Sequence, residues 1–147
     1  MNGILEFQMQ DAEGGMIGFD SVLAWVPDNG WVWSVLEFDG ILQAMAGLGY
    51  REFLQRVASS PQGCVMSWDQ LQDFAASVQQ CFDLLLVAVK DRCLLDPGKF
   101  AAGDFAECLL VLTASDSTWW TVRIDPAVEE VSALAVRLQS EYGGKAG

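Results

Sequence analysis

The sequence predicts an α+β domain: about six strands in an antiparallel or mixed sheet, with about three helices packed mainly on one face. Three observations carry that expectation. Segments of strand periodicity stand beside hairpin-turn chemistry towards both ends of the chain. Two segments with apolar residues at helical spacing begin on recognisable start signals. A continuous apolar run, Leu84 to Val89, has the character of a buried strand. The 147 residues suit one domain spanning 1–147, a size at which roughly 68–70% of the unfolded chain's surface can be buried.

The first strand is expected over Gly3 to Gln10, where Leu5, Phe7 and Met9 alternate with Glu6, Gln8 and Gln10. Asp11-Ala12-Glu13-Gly14-Gly15 reads as a turn. A second strand, Val22 to Val26, leads into Pro27-Asp28-Asn29-Gly30, where Pro fixes φ and Asn-Gly tolerates positive φ in a hairpin turn. The return strand, Trp31 to Phe38, sets Trp31, Trp33 and Val35 against Val32, Ser34, Leu36 and Phe38. Both faces are apolar, so it is covered on both sides or keeps one face for something else. Asp39-Gly40 is read as its end. Ile41 to Ala58 looks helical in two pieces, interrupted at Gly47 and Gly49, with Phe53, Leu54 and Val57 inward, until Pro61-Gln62-Gly63 breaks it.

Ser67-Trp68-Asp69-Gln70 is a capping box, hydroxyl and amide each satisfying a free backbone N–H. Trp68, Leu71, Phe74, Ala75, Val78 and Phe82 follow at helical spacing. After the Leu84–Val89 strand, a loop through Asp96-Pro97-Gly98 leads to a strand at Cys108 to Leu112. Asp116-Ser117 turns the chain into Trp119 to Ile124, where Trp120, Val122 and Ile124 oppose Trp119, Thr121 and Arg123. Asp125-Pro126 starts a last helix, with Glu129 and Glu130 near its positive end. Its apolar stripe is Val128, Val131, Leu134, Ala135, Leu138 and Tyr142, and Gly143-Gly144 stops it.

Composition excludes several functions. There are 20 Asp and Glu against 8 Lys and Arg, no histidine, and a formal net charge of −12. A chain this acidic does not bind nucleic acid non-specifically, because that affinity comes from Lys and Arg displacing counterions. Without histidine there is no Ser-His-Asp or Cys-His apparatus and no imidazole metal ligand or pH switch. The 52% hydrophobic content argues against disorder. Cys64, Cys81, Cys93 and Cys108 form no close pair of the zinc-binding kind and read as free thiols in a reducing cytoplasm, with a Cys93–Cys108 bridge left open. The first 20 residues lack the basic start of a signal peptide, and the longest apolar run is too short for a membrane span, so a cytoplasmic protein is expected. Gly47-Leu48-Gly49 has neither the preceding strand nor the following lysine of a phosphate-binding loop. No cofactor and no metal are expected.

Two carboxylate pairs could serve acid–base chemistry, Asp69 with Asp73 and Glu37 with Asp39. Ordinary structural roles explain them better: Asp69 lies in a helix first turn and Asp39 precedes a turn glycine. No catalytic residue is assigned. The charge is uneven. Residues 1–50 hold seven acids (Glu6, Asp11, Glu13, Asp20, Asp28, Glu37, Asp39) and no base. That reads as solubility alone or as a steering surface for a basic partner. Of six tryptophans, Trp68 and Trp120 are core by pattern, whereas Trp31, Trp33 and Trp119 are the better candidates for exposure. The candidate partner-binding residues are therefore Asp20, Asp28, Trp31, Trp33, Glu37, Asp39, Asp116 and Trp119, with residues 20–39 the first place to look.

Ser117-Thr118-Trp119-Trp120-Thr121-Val122 running into Asp125-Pro126, and Met66-Ser67-Trp68-Asp69 opening a helix before an apolar strand, give the C-terminal half a look of its own. It resembles small acidic bacterial immunity proteins of contact-dependent and type VI secretion systems. The resemblance implies a non-enzymatic inhibitor, a monomer or weak homodimer, that binds a cognate, basic toxin domain acting in the cytoplasm and blocks it. Two other readings remain: an acidic secretion chaperone for an effector protein, and a small carboxylate-dependent enzyme.

Overall fold

The computed structural model describes residues 4–10, 14–15, 17–26, 29–42, 62–115 and 118–125, together with Glu52, Gln55, Val57, Ser59, Val136, Arg137 and Ser140 as helical positions. Six strands form one sheet in the order β1-β6-β5-β4-β2-β3: β1 (Ile4–Gln8), β2 (Val32–Leu42), β3 (Cys64–Met66), β4 (Val78–Val89), β5 (Leu110–Ser115) and β6 (Trp119–Ile124). Every neighbouring pair is antiparallel. Three helices have defined bounds among the described residues: α1 (Phe19–Leu23), α2 (Trp68–Ser77) and α3 (Pro97–Ala101). The α+β class stands, and of the two sheet types the chain adopts the antiparallel one.

The main core lies between one sheet face and helices α1 and α2. Leu5, Phe7, Trp33, Val35, Leu84, Leu86, Leu112, Trp120 and Val122 point into it from the strands. Phe19 of α1 and Phe74 of α2 meet edge to face at 5.7 Å, and Phe38 meets Phe74 at 5.3 Å, the tilted geometry that the ring quadrupoles favour. The capping box at Ser67 forms as expected: Gln70 N donates to Ser67 Oγ at 3.2 Å and Ser67 N donates to Gln70 Oε1 at 2.9 Å. Among the described residues the opposite face is covered over one half. There the β4–β5 connection, residues 90–109 with a 3-10 turn (Arg92–Leu94) and α3, folds back over Val87, Val89 and Val111 and buries Leu95 and Cys108.

Several expectations are corrected. Residues 22–26 are not a strand, so the N-terminal hairpin is absent; the chain is helical over Phe19–Leu23 and turns at Ala24 and Trp25. The overlooked signal is the i, i+3, i+4, i+7 spacing of Phe19, Val22, Leu23 and Val26, all buried. The sixth strand is instead the three-residue β3. Asp39-Gly40 does not end β2, which continues to Leu42, opposite the start of β4. Gly40 permits this, because a Cβ there would collide with the Gln80 carbonyl. Helix α2 stops at Ser77, and Val78 and Phe82 belong to β4, drawn into pairing with the extension of β2. Asp96-Pro97-Gly98 opens a helix rather than forming a plain loop, with Asp96 Oδ1 accepting from Gly98 N at 2.9 Å and Lys99 N at 3.3 Å. β5 begins two residues later than expected, at Leu110, and runs to Ser115. Phe53, Leu54, Gly47, Gly49 and the apolar stripe of the last helix lie outside the described residues; Val57 packs against the core.

Candidate functional site

Cross-strand register decides which side chains share the half-covered face, because directly paired residues project to the same side of the sheet. One row joins Gln8, Trp119 and Ser115 across β1, β6 and β5; Asp39 and Asp83 face each other on β2 and β4. The next row joins Glu6, Thr121, Thr113, Leu85 and Glu37. A third joins Ile4, Arg123, Val111, Val87 and Ser34, and from Val111 onward it lies beneath the 90–109 segment. The first two rows stay open. Glu6, Gln8, Glu37, Asp39, Asp83, Ser115 and Trp119 are exposed, and Thr113, Thr121 and Leu85 are half-buried.

A register shift in β2 makes Glu37 and Asp39 part of this face. Val35 pairs with Leu86 but Glu37 pairs with Leu85, so Leu36 is the extra residue of a β-bulge. Beyond it the alternation changes phase. Phe38 joins Trp33 and Val35 in the core while Glu37 and Asp39 turn to the open side. Leu36 packs under the covering segment instead. With strands about 4.8 Å apart, the three steps from β6 to β2 place Trp119 and the β2 acids roughly 14 Å apart.

The two open rows carry Glu6, Glu37, Asp39 and Asp83 and no Lys or Arg, the exposed Arg123 standing in the third row. No cation among the described residues pairs with Glu6, Glu37 or Asp39. Thr121 Oγ1 donates to Glu6 Oε2 at 3.4 Å. The field reaches inward: the Cys81 thiol is pushed up to about 12, first by burial and then by the Asp83 and Asp39 carboxylates. Asp39 and Asp83 are direct cross-strand partners, an arrangement of like charges that is unfavourable in the free protein.

The structure brings together three of the eight expected site residues, Glu37, Asp39 and Trp119. Trp119 is 38% exposed, as its phase implied. Trp33 is a correction. It is fully buried, opposite the small Ala88, with its ring 5.5 Å from Trp68 and 5.8 Å from Trp31 and its indole N–H donated to Asn29 Oδ1 at 3.0 Å. Trp31 is half-buried against the same core. Asp20 is exposed in the first turn of α1, on the helical side of the sheet, away from Glu37 and Asp39. Asp28 and Asp116 lie outside the described residues. Residues 20–39 are therefore divided between the two sides of the sheet. Glu6 and Asp83 were missed as members of the open face, since only the β1–β6 and β2–β4 registers bring them there.

Little else among the described residues suggests chemistry. All four cysteines are free. Cys108 is pushed up to about 11, chiefly by burial, and exposed Cys93 is raised by its hydrogen bond to Asp91, so neither is an activated thiolate. Cys108 borders a cavity of about 270 Å³ with Arg123, Asp125 and Phe105. Among the described residues no group of three or more Cys, Asp or Glu is placed to hold a metal ion, and no helix is long and apolar enough to cross a membrane. In comparisons with known proteins, no family model, curated protein or solved structure matches the chain.

Proposed function

We propose that the chain is an immunity protein: it binds a cognate, basic bacterial toxin domain in the cytoplasm and blocks it, without catalysis of its own. The observation that supports this reading is the open half of the sheet face, where Glu6 stands near an exposed Trp119 and Glu37, Asp39 and Asp83 lie farther across the same rigid strands. Exposed carboxylates raise the rate of encounter with a basic surface, and an exposed aromatic supplies an anchor once contact is made. Rigid strands keep the ordering cost of binding low.

The test begins from the neighbouring genes. A toxin reading frame next to this one, ending in a small basic domain, should stop growth when that domain is expressed alone and spare the cell when this chain is co-expressed. Reversing Glu37 and Asp39 to Lys should lower the association rate about tenfold at low salt, with the gap closing as salt is added. Failure of this chain to relieve the toxicity of that domain would overturn the reading.

A further inference from the structure

The open face carries a more specific recognition element, and the inference rests on the immunity reading only for the identity of the partner. Trp119 is the one large aromatic on the open rows. Its in-row neighbours are polar, Gln8 on β1 and Ser115 on β5, so the indole meets solvent from a hydrophilic bed and not from an apolar patch. One row away on β1 stands Glu6, on the diagonal from Trp119, a spacing of about 7–8 Å between backbones that long side chains bridge. Thr121, two residues beyond Trp119 on the same strand and directly opposite Glu6, donates its hydroxyl to Oε2 of that carboxylate and steadies it above the sheet. No cation among the described residues pairs with Glu6.

We propose that Trp119 and Glu6 form a guanidinium subsite, which takes an arginine side chain from the surface of a basic protein partner. An arginine plane stacks on an indole face while its edge N–H groups reach a carboxylate, two interactions that one guanidinium makes together. A lysine ammonium offers a point charge and no plane, so it loses the stacking component. The remaining acids of the face, Glu37 and Asp39 on the far side of Thr113 and Leu85, supply the wider field that draws a cationic surface to this side of the molecule. The charge of the face selects a basic occupant; the indole beside a held carboxylate selects arginine within it.

The experiment uses the intact protein and a pentapeptide of alternating glycine and arginine, with its lysine and citrulline counterparts, titrated at low ionic strength and followed at the Trp119 indole N–H by NMR. The arginine peptide should move that resonance and bind about two- to fivefold tighter than the lysine peptide, the range of an exposed cation–π contact. The citrulline peptide, planar but neutral, should bind more weakly than either. Glu6→Gln should weaken arginine binding while leaving the indole resonance of the free protein in place. Trp119→Ala should erase the arginine preference, and Trp119→Phe should reduce it while preserving a ring. Equal binding of arginine and lysine peptides, or shifts that bypass Trp119, would overturn the subsite. The two readings fail separately. A toxin that this chain neutralises with undiminished affinity after Trp119→Ala removes the subsite and leaves immunity standing. If no toxin is neutralised, the peptide titration still decides the subsite.

Discussion

The two halves of the second sheet face are built from the same strands and come to opposite ends. Under the 90–109 segment, β4 and β5 present Val87, Val89 and Val111, and these are buried with Leu95 and Cys108. A few residues along the same strands, β4 presents Asp83 and β5 presents Ser115 and Thr113, in the open. β2 makes the change within one bulge, Leu36 serving the covered half and Glu37 the open one. Among the described residues the chain thus covers the half that it makes apolar. The half it leaves bare carries carboxylates and a single tryptophan, the composition of a surface that spends time in water before it meets a partner.

The largest way to break that comparison is at the tryptophans. Trp33→Ala should cost about 3–5 kcal/mol, since it empties a fully buried indole from the core. Trp119→Ala should stay within about 0.5 kcal/mol, as for other surface positions. Urea denaturation of the two variants checks both. A Trp119→Ala cost near that of Trp33→Ala would show that the bare half is structural.

The next effect concerns what holds the cover in place. Ser34 Oγ donates to Gln62 O at 2.5 Å, and Gln62 Nε2 donates to Leu95 O at 3.1 Å, so one residue ties β2 to the covering segment. Gly63 beside it has φ +79°, and a Cβ there would lie 2.5 Å from Ser34 Oγ and 2.6 Å from Val35 O. Gly63→Ala should therefore cost about 1–3 kcal/mol. Hydrogen exchange should speed up in residues 90–109 and stay unchanged at Glu37 to Asp39; uniform acceleration over both halves would break the distinction.

What the sequence made legible follows the range of the interactions involved. The Ser67 capping box, the phase of Trp119 to Ile124 and the buried character of Leu84–Val89 depend on neighbours in the chain, and the structure has all three. The segment 19–26 reads as a strand in the sequence because the β-formers Val22, Trp25 and Val26 outweigh a helical spacing that begins three residues earlier, and tertiary packing of Phe19 on Phe74 settles it as a helix. Trp33 was misplaced because a strand with two apolar faces does not say which face is the core. The open face was legible residue by residue in Trp119, Glu37 and Asp39. Its assembly was not, since Glu6 and Asp83 join them only through pairings more than 40 residues apart in the chain and Glu37 only through a bulge.

A third comparison sets the two buried thiols against each other. Cys81, next to the open acids, is held at about 12, and Cys108, beneath the cover, at about 11. In both, the folded state binds the thiol proton more tightly than the unfolded chain does. The stabilisation is therefore complete below the unfolded thiol's value near 9 and is lost as pH rises through the folded value. Over that window each thiol takes away about 1.4 kcal/mol per pH unit. Cys81→Ala should flatten the fall of stability from pH 9 up to about 12, whereas Cys108→Ala should do so only up to about 11, because the window of Cys81 extends further. Parallel profiles for wild type and Cys81→Ala would show that no such burial operates.

The smallest effect runs against intuition and bears most directly on function. Asp39 and Asp83 stand opposite each other on β2 and β4, and like charges so placed repel by about 0.2–1 kcal/mol. Asp39→Asn removes that repulsion while keeping the size and shape of the side chain. The free protein should gain stability of that order, most clearly at low salt, and the gain should shrink as salt screens the pair. The same variant should associate with a basic partner more slowly, because one of the steering carboxylates is gone. A charge that weakens the free fold and speeds binding is explained by the partner and not by the fold. If Asp39→Asn left the association rate unchanged while stabilising the protein, the acids of this face would be reduced to a solubility device, and the case for the open half as a binding face would rest on Trp119 and Glu6 alone.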